Sequence, residues 1–219
     1  MSCYFDLVRR EIRPLLPAAA SRIVDVGCGI GGTAKWLKEI YPSAHVIGIE
    51  GNGDLRAALS ENVDESYIHD LNDEPPDMGQ PDLILFLDVL EHLVDPETVL
   101  SRFVSRLAVG GSVIISLPNV AHLSVALPLA VSGRWTYADA GILDRTHLRF
   151  FVQRTAIELA ESCGLNVEAA LYAGMQGPKS RLIDRATLGL IRDRLAKQFI
   201  MRAVREPVGH AKWAPAAEY

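Results

Sequence analysis

The chain has 219 residues, 49% of them hydrophobic and 22% charged, a balance that suits one domain with an ordinary core and excludes a disordered chain. Its net charge of −5 argues against a general nucleic-acid surface, and no apolar run reaches membrane-spanning length. Cys3, Cys28 and Cys163 are scattered and form no C-x-x-C pair, so a reduced, cytoplasmic setting is expected and a cysteine metal site is not.

At the start of the chain, MSCYFDLVRREIRP has no signal-peptide apolar core, and Phe5, Val8 and Ile12 make a short helical stripe ending near Pro14 and Pro17. RIVDV (22–26) reads as a strand running into a glycine-rich turn. Trp36, Leu37, Ile40 and Tyr41 then recur at helical spacing until Pro42. HVIGIE (45–50) is a second buried strand, DLRAALSENV (54–63) a helix, and SYIHDL (66–71) a third strand before a polar, proline-rich loop. DLILFLDV (82–89) is a continuous apolar run of the kind parallel sheets bury on both faces.

Asp95 is placed to cap the next helix, with Pro96 at its first position and Glu97 at its positive end. Val99, Leu100, Phe103, Val104 and Leu107 form its apolar face, and Gly110-Gly111 ends it before a fifth strand, SVIISL (112–117). Strand and helix alternate from residue 22 to here, which predicts a parallel sheet with right-handed crossovers.

Beyond Pro118 the pattern loosens. HLSVALPLAVSG suits a helix despite Pro128, QRTAIELAESCG (153–164) is a clear helix, and LNVEAALYA (165–173) a strand. For 180–207 the preferred division is a helix over 180–195 and a strand over 198–204, pairing antiparallel with 165–173; one long helix is the alternative. Leu123, Val125, Leu127, Leu129, Trp135 and Tyr137 give residues 122–146 an apolar and aromatic surface, suited to a lid over an acceptor, to ordinary core or to a dimer contact.

Four glycines, Gly27, Gly29, Gly31 and Gly32, fall within six residues immediately before a helix. Glycine there lets the backbone turn tightly and lets a ligand approach without meeting a Cβ, while the helix N-terminus behind it favours an anionic group. Glu50 closes the second strand about 20 residues on, placed to accept ribose hydroxyls. The spacing satisfies G-x-G-x-x-G, so a nicotinamide dinucleotide and S-adenosylmethionine both remain open on these residues. Asp70, ending the third strand, can accept from an adenine amino group while the Leu71 N–H meets a ring nitrogen.

The segments IVDVGCGIG and DVLEHLVDP (88–96), with GGSVIISLPN, resemble the class I S-adenosylmethionine-dependent methyltransferases over residues 22 to 117. GILDRTHLRFF (141–151) also resembles one bacterial subgroup linked to glycan, lipid or small-metabolite modification. The resemblance implies a Rossmann-like, doubly wound α/β fold with a seven-stranded sheet of order 3-2-1-4-5-7-6, strand seven antiparallel. It implies a single methyltransferase domain over 1–219, with 118–151 as a lid or acceptor-binding insertion and 174–197 as a helical insertion. S-adenosyl-L-methionine would be the cofactor and S-adenosyl-L-homocysteine the product. Asp25 would lie beneath the methionine amino group and Gly27 and Gly29 around the methionine. Glu50 would hold the ribose, Asp70 and Leu71 the adenine, and Leu87 and Asp88 would flank the methionine side.

Methyl transfer from a sulfonium needs in-line alignment in a site closed to water, and an oxygen nucleophile also benefits from a base. His92 and His147 are the candidate bases, with His122 behind them; each also suits a purely structural role. Asp88, Glu91 and His92 offer too few neighbouring carboxylates for magnesium, so no metal is expected. The expected activity is transfer to an oxygen or nitrogen of a small molecule or of a glycan or lipid precursor, by a monomer or homodimer. A non-catalytic S-adenosylmethionine-binding partner or sensor is the alternative, and a nicotinamide-dependent oxidoreductase the more distant one.

Overall fold

The computed structural model describes residues 7–175, 177–205 and 212–216. The start of the N-terminal stripe, Phe5, lies outside the described residues; Val8 precedes a single 3-10 segment, Arg10–Leu15, in which Ile12 and Leu15 are buried. The sheet runs through β1 (Arg22–Val26), β2 (His45–Glu50), β3 (Glu65–Ile68), β4 (Leu83–Leu87), β5 (Ser112–Pro118), β6 (Asn166–Ala173), β7 (Gln198–Val204) and β8 (Lys212–Pro215). Its helices are α1 (Gly32–Ile40), α2 (Arg56–Ser60), α3 (Pro96–Arg106), α4 (Leu123–Ser132), α5 (Gln153–Ser162), α6 (Pro178–Ala186) and α7 (Arg192–Leu195).

The strand order is β3-β2-β1-β4-β5-β7-β6-β8, with β7 antiparallel to β5 and β6 and every other pairing parallel. This is the expected doubly wound sheet with one correction, eight strands in place of seven. The extra strand pairs Lys212–Pro215 with Ala169–Tyr172 at the outer edge. It is short, largely exposed and holds a proline, which suits an edge and leaves no alternating apolar signal to read.

Side chains alternate across the sheet and so build two cores. On one face Ile23, Val46 and Leu85 pack with Ala34, Trp36 and Leu37 of α1 and with Ile12 and Leu15. On the other, Val24, Ile47 and Phe86 pack with Val99, Leu100 and Phe103 of α3 and with Ala156, Leu159 and Ala160 of α5. β1, β4 and β5 are covered on both sides, and all of their apolar residues other than Leu87 are buried.

The single helix expected over 180–195 is two, because Leu188 and Gly189 both adopt the left-handed conformation between them, at φ 51° and 78°. The segment 198–204 is a strand; the long-helix alternative fails because Phe199, Ile200, Met201 and Ala203 are fully buried between β5 and β6. Asp95 caps α3 as expected, accepting from Thr98 N at 3.1 Å. β3 ends at Ile68, so Asp70 and Leu71 sit in the loop beyond it. The helix expected over 54–63 is a 3-10 turn, Gly53–Leu55, followed by the short α2.

Candidate active site

The five mutually parallel strands, β1 to β5, point their carboxyl ends at one rim, the position where sheets of this type hold ligands. The first turn there is built by backbone geometry. Gly27, Gly29 and Gly31 have φ of 66°, 58° and 81°, a region that side chains disfavour. A Cβ on Gly27 would also lie 2.5 Å from Val89 Cγ2. Gly27 N and Cys28 N donate to Ile49 O at 2.7 and 3.2 Å, tying the turn to β2. Glu50 completes the tie, its Oε2 accepting from Gly29 N and its Oε1 from Asn52 N, each at 2.9 Å.

Asp25 lies beneath this turn, 2% exposed, and its Oδ2 has no hydrogen-bond partner among the described residues. Burial pushes its carboxyl up to about 7; the positive charge of Arg9 opposes the shift and the negative charge of Glu50 adds to it. Across the rim, Asp88 follows β4 in a left-handed conformation, φ 60°. Its Oδ2 accepts from Arg9 Nη1, and its Oδ1 accepts from Ser116 Oγ and Gln198 Nε2, both at 2.8 Å.

Three cavities meet at Asp88. One, of 330 Å³, is lined by Arg9, Asp25, Gly27, Gly29, Leu87 and Asp88. A second, of 730 Å³, takes in Glu50, His69, Asp70, Leu71 and His92. These two share Gly27, Glu50 and Asp88, so every residue expected to meet a cofactor borders one continuous trench. Asp70 is exposed there, its Oδ1 accepting from both nitrogens of Asn72. The third cavity, of 460 Å³, opens on the far side of Asp88 and is lined by Glu91, Asp144, His147, Lys197 and Gln198.

The two candidate bases are brought together, their rings edge-to-face at a centroid distance of 4.8 Å. His147 is 8% exposed and its Nε2 lies 4.0 Å from Glu91 Oε1. Its loop is clamped in place where Leu148 N and Arg149 N both donate to Glu91 O. Burial, and then the neighbouring His147, lower the pKa of His92. Burial, followed by repulsion from Asp88, holds Glu91 well above the usual carboxylate range. His122 stands apart and caps α4, its Nδ1 accepting from Ser124 N at 3.1 Å.

A family model described as a methyltransferase domain matches residues 4–170. The chain belongs to that family. Among curated relatives, the chain is 29% identical over 164 residues to a trans-aconitate 2-methyltransferase of Methylobacterium nodulans, covering 71% of this chain and 62% of the relative. It is 34% identical over 110 residues to a ubiquinone biosynthesis O-methyltransferase of Marinobacter nauticus, covering 46% of this chain and 45% of that one. The chain thus spans less than two thirds of the length of these relatives. Its fold is similar to that of an S-adenosylmethionine-dependent methyltransferase from Archaeoglobus fulgidus, with a TM-score of 0.63 at 18% identity over 89% of this chain and 90% of that one. With the family, S-adenosylmethionine is the cofactor and the nicotinamide alternative falls away.

Sequence reasoning missed three residues of the rim. Arg9 reaches Asp88 from the N-terminal segment, and Lys197 and Gln198 arrive at the start of an antiparallel strand. None stands beside a motif, so no local pattern marks them. No helix among the described residues is long and apolar enough to cross a membrane.

Proposed function

We propose that this methyltransferase moves a methyl group from S-adenosylmethionine to an oxygen or nitrogen atom of a small acceptor. The continuous trench is read as the donor site and the third cavity as the acceptor site. The observation that carries this is their meeting at a single residue, Asp88, where donor and acceptor would lie end to end.

The residues of the trench fit the donor. The unpartnered, buried Oδ2 of Asp25 suits an ammonium group. Gly27 and Gly29 keep side chains out of the cradle; Glu50 would accept from the ribose, and Asp70 with the Leu71 N–H would meet the adenine. Leu87 and Asp88 would flank the methionine. When bound, the sulfonium supplies an electrophilic methyl carbon and a neutral thioether leaving group. The chain's own part is to align the acceptor and exclude water.

His147 is the proposed base, because its Nδ1 donates to Ile142 O at 3.1 Å and so keeps the lone pair on Nε2. His92 is its partner, and residues 118–151, with Trp135 stacked edge-on to Phe150 at 5.1 Å, form the proposed lid. Relatives named for trans-aconitate and for ubiquinone biosynthesis support a small-molecule acceptor.

Calorimetry with S-adenosylmethionine, S-adenosylhomocysteine and NADH tests the reading. The expected result is binding of the first two at one site and none of NADH. A folded protein that binds neither sulfur compound would end it.

A further inference from the structure

We infer that Glu91, His92 and His147 form a binding site for one divalent transition-metal ion at the border of the trench and the acceptor cavity. One donor atom of each residue lies within 4.8 Å of the other two. Ligand distances of about 2.1 Å bring such atoms roughly 3–4 Å apart, a contraction within reach of small side-chain rotations.

Both imidazoles are held in the tautomer that a metal requires. His147 Nδ1 faces the carbonyl of Ile142 at 3.1 Å, and a carbonyl only accepts, so the proton is on Nδ1. His92 Nδ1 faces Thr146 O at 3.2 Å and Thr146 Oγ1 at 3.0 Å, and that hydroxyl spends its own hydrogen on Asp144 Oδ1 at 2.7 Å. The lone pair is therefore on Nε2 of both rings. An outer partner on the second nitrogen is the arrangement that orients and strengthens histidine ligands.

Glu91 supplies the independent sign. Its side chain is 1% exposed, yet Oε2 has no hydrogen-bond partner among the described residues, and the 4.0 Å gap from Oε1 to His147 is too long for a hydrogen bond. Arg9 gives Glu91 no hydrogen bond, since its guanidinium donates to Glu11, Asp88, Ser116 and Gln198. A buried carboxyl oxygen left without a partner in that position is placed to take a cation, which would displace the carboxyl proton. Two imidazoles and one carboxylate favour a transition ion over magnesium, which prefers an oxygen shell. Asp88 is not in the set because Arg9, Ser116 and Gln198 occupy its oxygens.

Glu91 and His147 line the acceptor cavity and His92 lines the trench, so an ion held by all three would sit where the two cavities meet, within reach of the acceptor. The matching acceptor is one with oxygen donors, a hydroxyl beside a second hydroxyl, carbonyl or carboxylate. Coordination would ease loss of the hydroxyl proton to water, leaving the oxygen lone pair to attack the methyl carbon. The acceptor class rests on the preceding reading of the function; the metal site does not, and with the ion bound the His147 Nε2 lone pair is a ligand, so that His147 serves as the base only in the metal-free protein.

Cobalt(II) is the probe, added to chelator-treated full-length protein at neutral pH. One equivalent should bind, giving visible absorption bands and two paramagnetically shifted, exchangeable imidazole N–H signals in the proton NMR spectrum. Glu91→Gln and His147→Gln should each weaken binding at least 100-fold while S-adenosylhomocysteine still binds, and His122→Ala should leave it unchanged. No binding by the wild-type protein, a signal count other than two, or equal binding by the Glu91 and His147 variants would overturn the site. Loss of cobalt binding alone leaves the methyl-transfer reading standing; loss of S-adenosylhomocysteine binding alone sinks that reading and leaves the metal.

Discussion

Arg9, from the N-terminal segment, and Asp88, at the end of β4, form an ion pair at the point where the three cavities join, although 79 positions separate them. The pair fixes a left-handed aspartate against β5 and β7 and forms one wall of the trench. Arg9→Met should destabilise the protein, since removing one partner of a buried pair costs about 3–5 kcal/mol. Asp88 is 26% exposed at its side chain, and water will reduce the loss to about 1–3 kcal/mol. Urea denaturation of Arg9→Met, Asp88→Asn and the double variant checks this. The double variant should lose less than the two singles together, and strict additivity would contradict the pairing.

Asp25 makes stability depend on pH. Its carboxyl rises from an ordinary 3.8 to about 7 on folding, so between those values the folded state holds a proton that the unfolded state has released. The stabilisation is full below pH 4, falls as pH rises and is gone above 7, a difference on the order of 4 kcal/mol. Asp25→Asn should flatten this part of the stability profile. An ammonium placed against Oδ2 favours the carboxylate, so S-adenosylhomocysteine should bind more tightly as pH rises from 5 to 7 and release a proton below 7. Calorimetry in buffers of different ionisation enthalpy measures that release.

Glu50 both holds the glycine turn and faces the trench. Glu50→Ala should weaken S-adenosylhomocysteine binding by about 1.5–3 kcal/mol, the range for hydrogen bonds to a charged group. Unchanged affinity by calorimetry would remove Glu50 from the donor site.

Gly27→Ala meets two obstacles, the left-handed backbone and the Val89 side chain at 2.5 Å from the new Cβ. The backbone alone costs about 1–2 kcal/mol. Adding Val89→Ala should relieve the clash and leave that backbone cost, so the double variant should melt above Gly27→Ala. Equal melting temperatures would place the whole cost in the backbone.

His122→Ala removes a cap from α4. A loss of about 1 kcal/mol is expected, with S-adenosylhomocysteine affinity unchanged.

The inner half of this molecule was legible because its signals are local. Ile84 and Ile114 sit in unbroken apolar runs that only a doubly covered sheet accommodates, and Gly27, Gly29 and Glu50 mark a turn whose geometry is set by neighbours in the chain. Even β7 could be read, since Phe199 to Met201 carry too much apolar surface for an exposed helix face. β8 could not, because an edge strand of four mostly exposed residues buries too little to leave a pattern.

The order of residues thus prescribed the sheet, the glycine cradle and the acids around it. It did not say that Arg9 would close the trench, that Gln198 would grip Asp88, or that Glu91 and His147, far apart in the chain, would share a buried pocket. Those relations depend on how separate elements converge at one rim. Such convergence is settled by packing across the sheet, and no spacing within a short window records it.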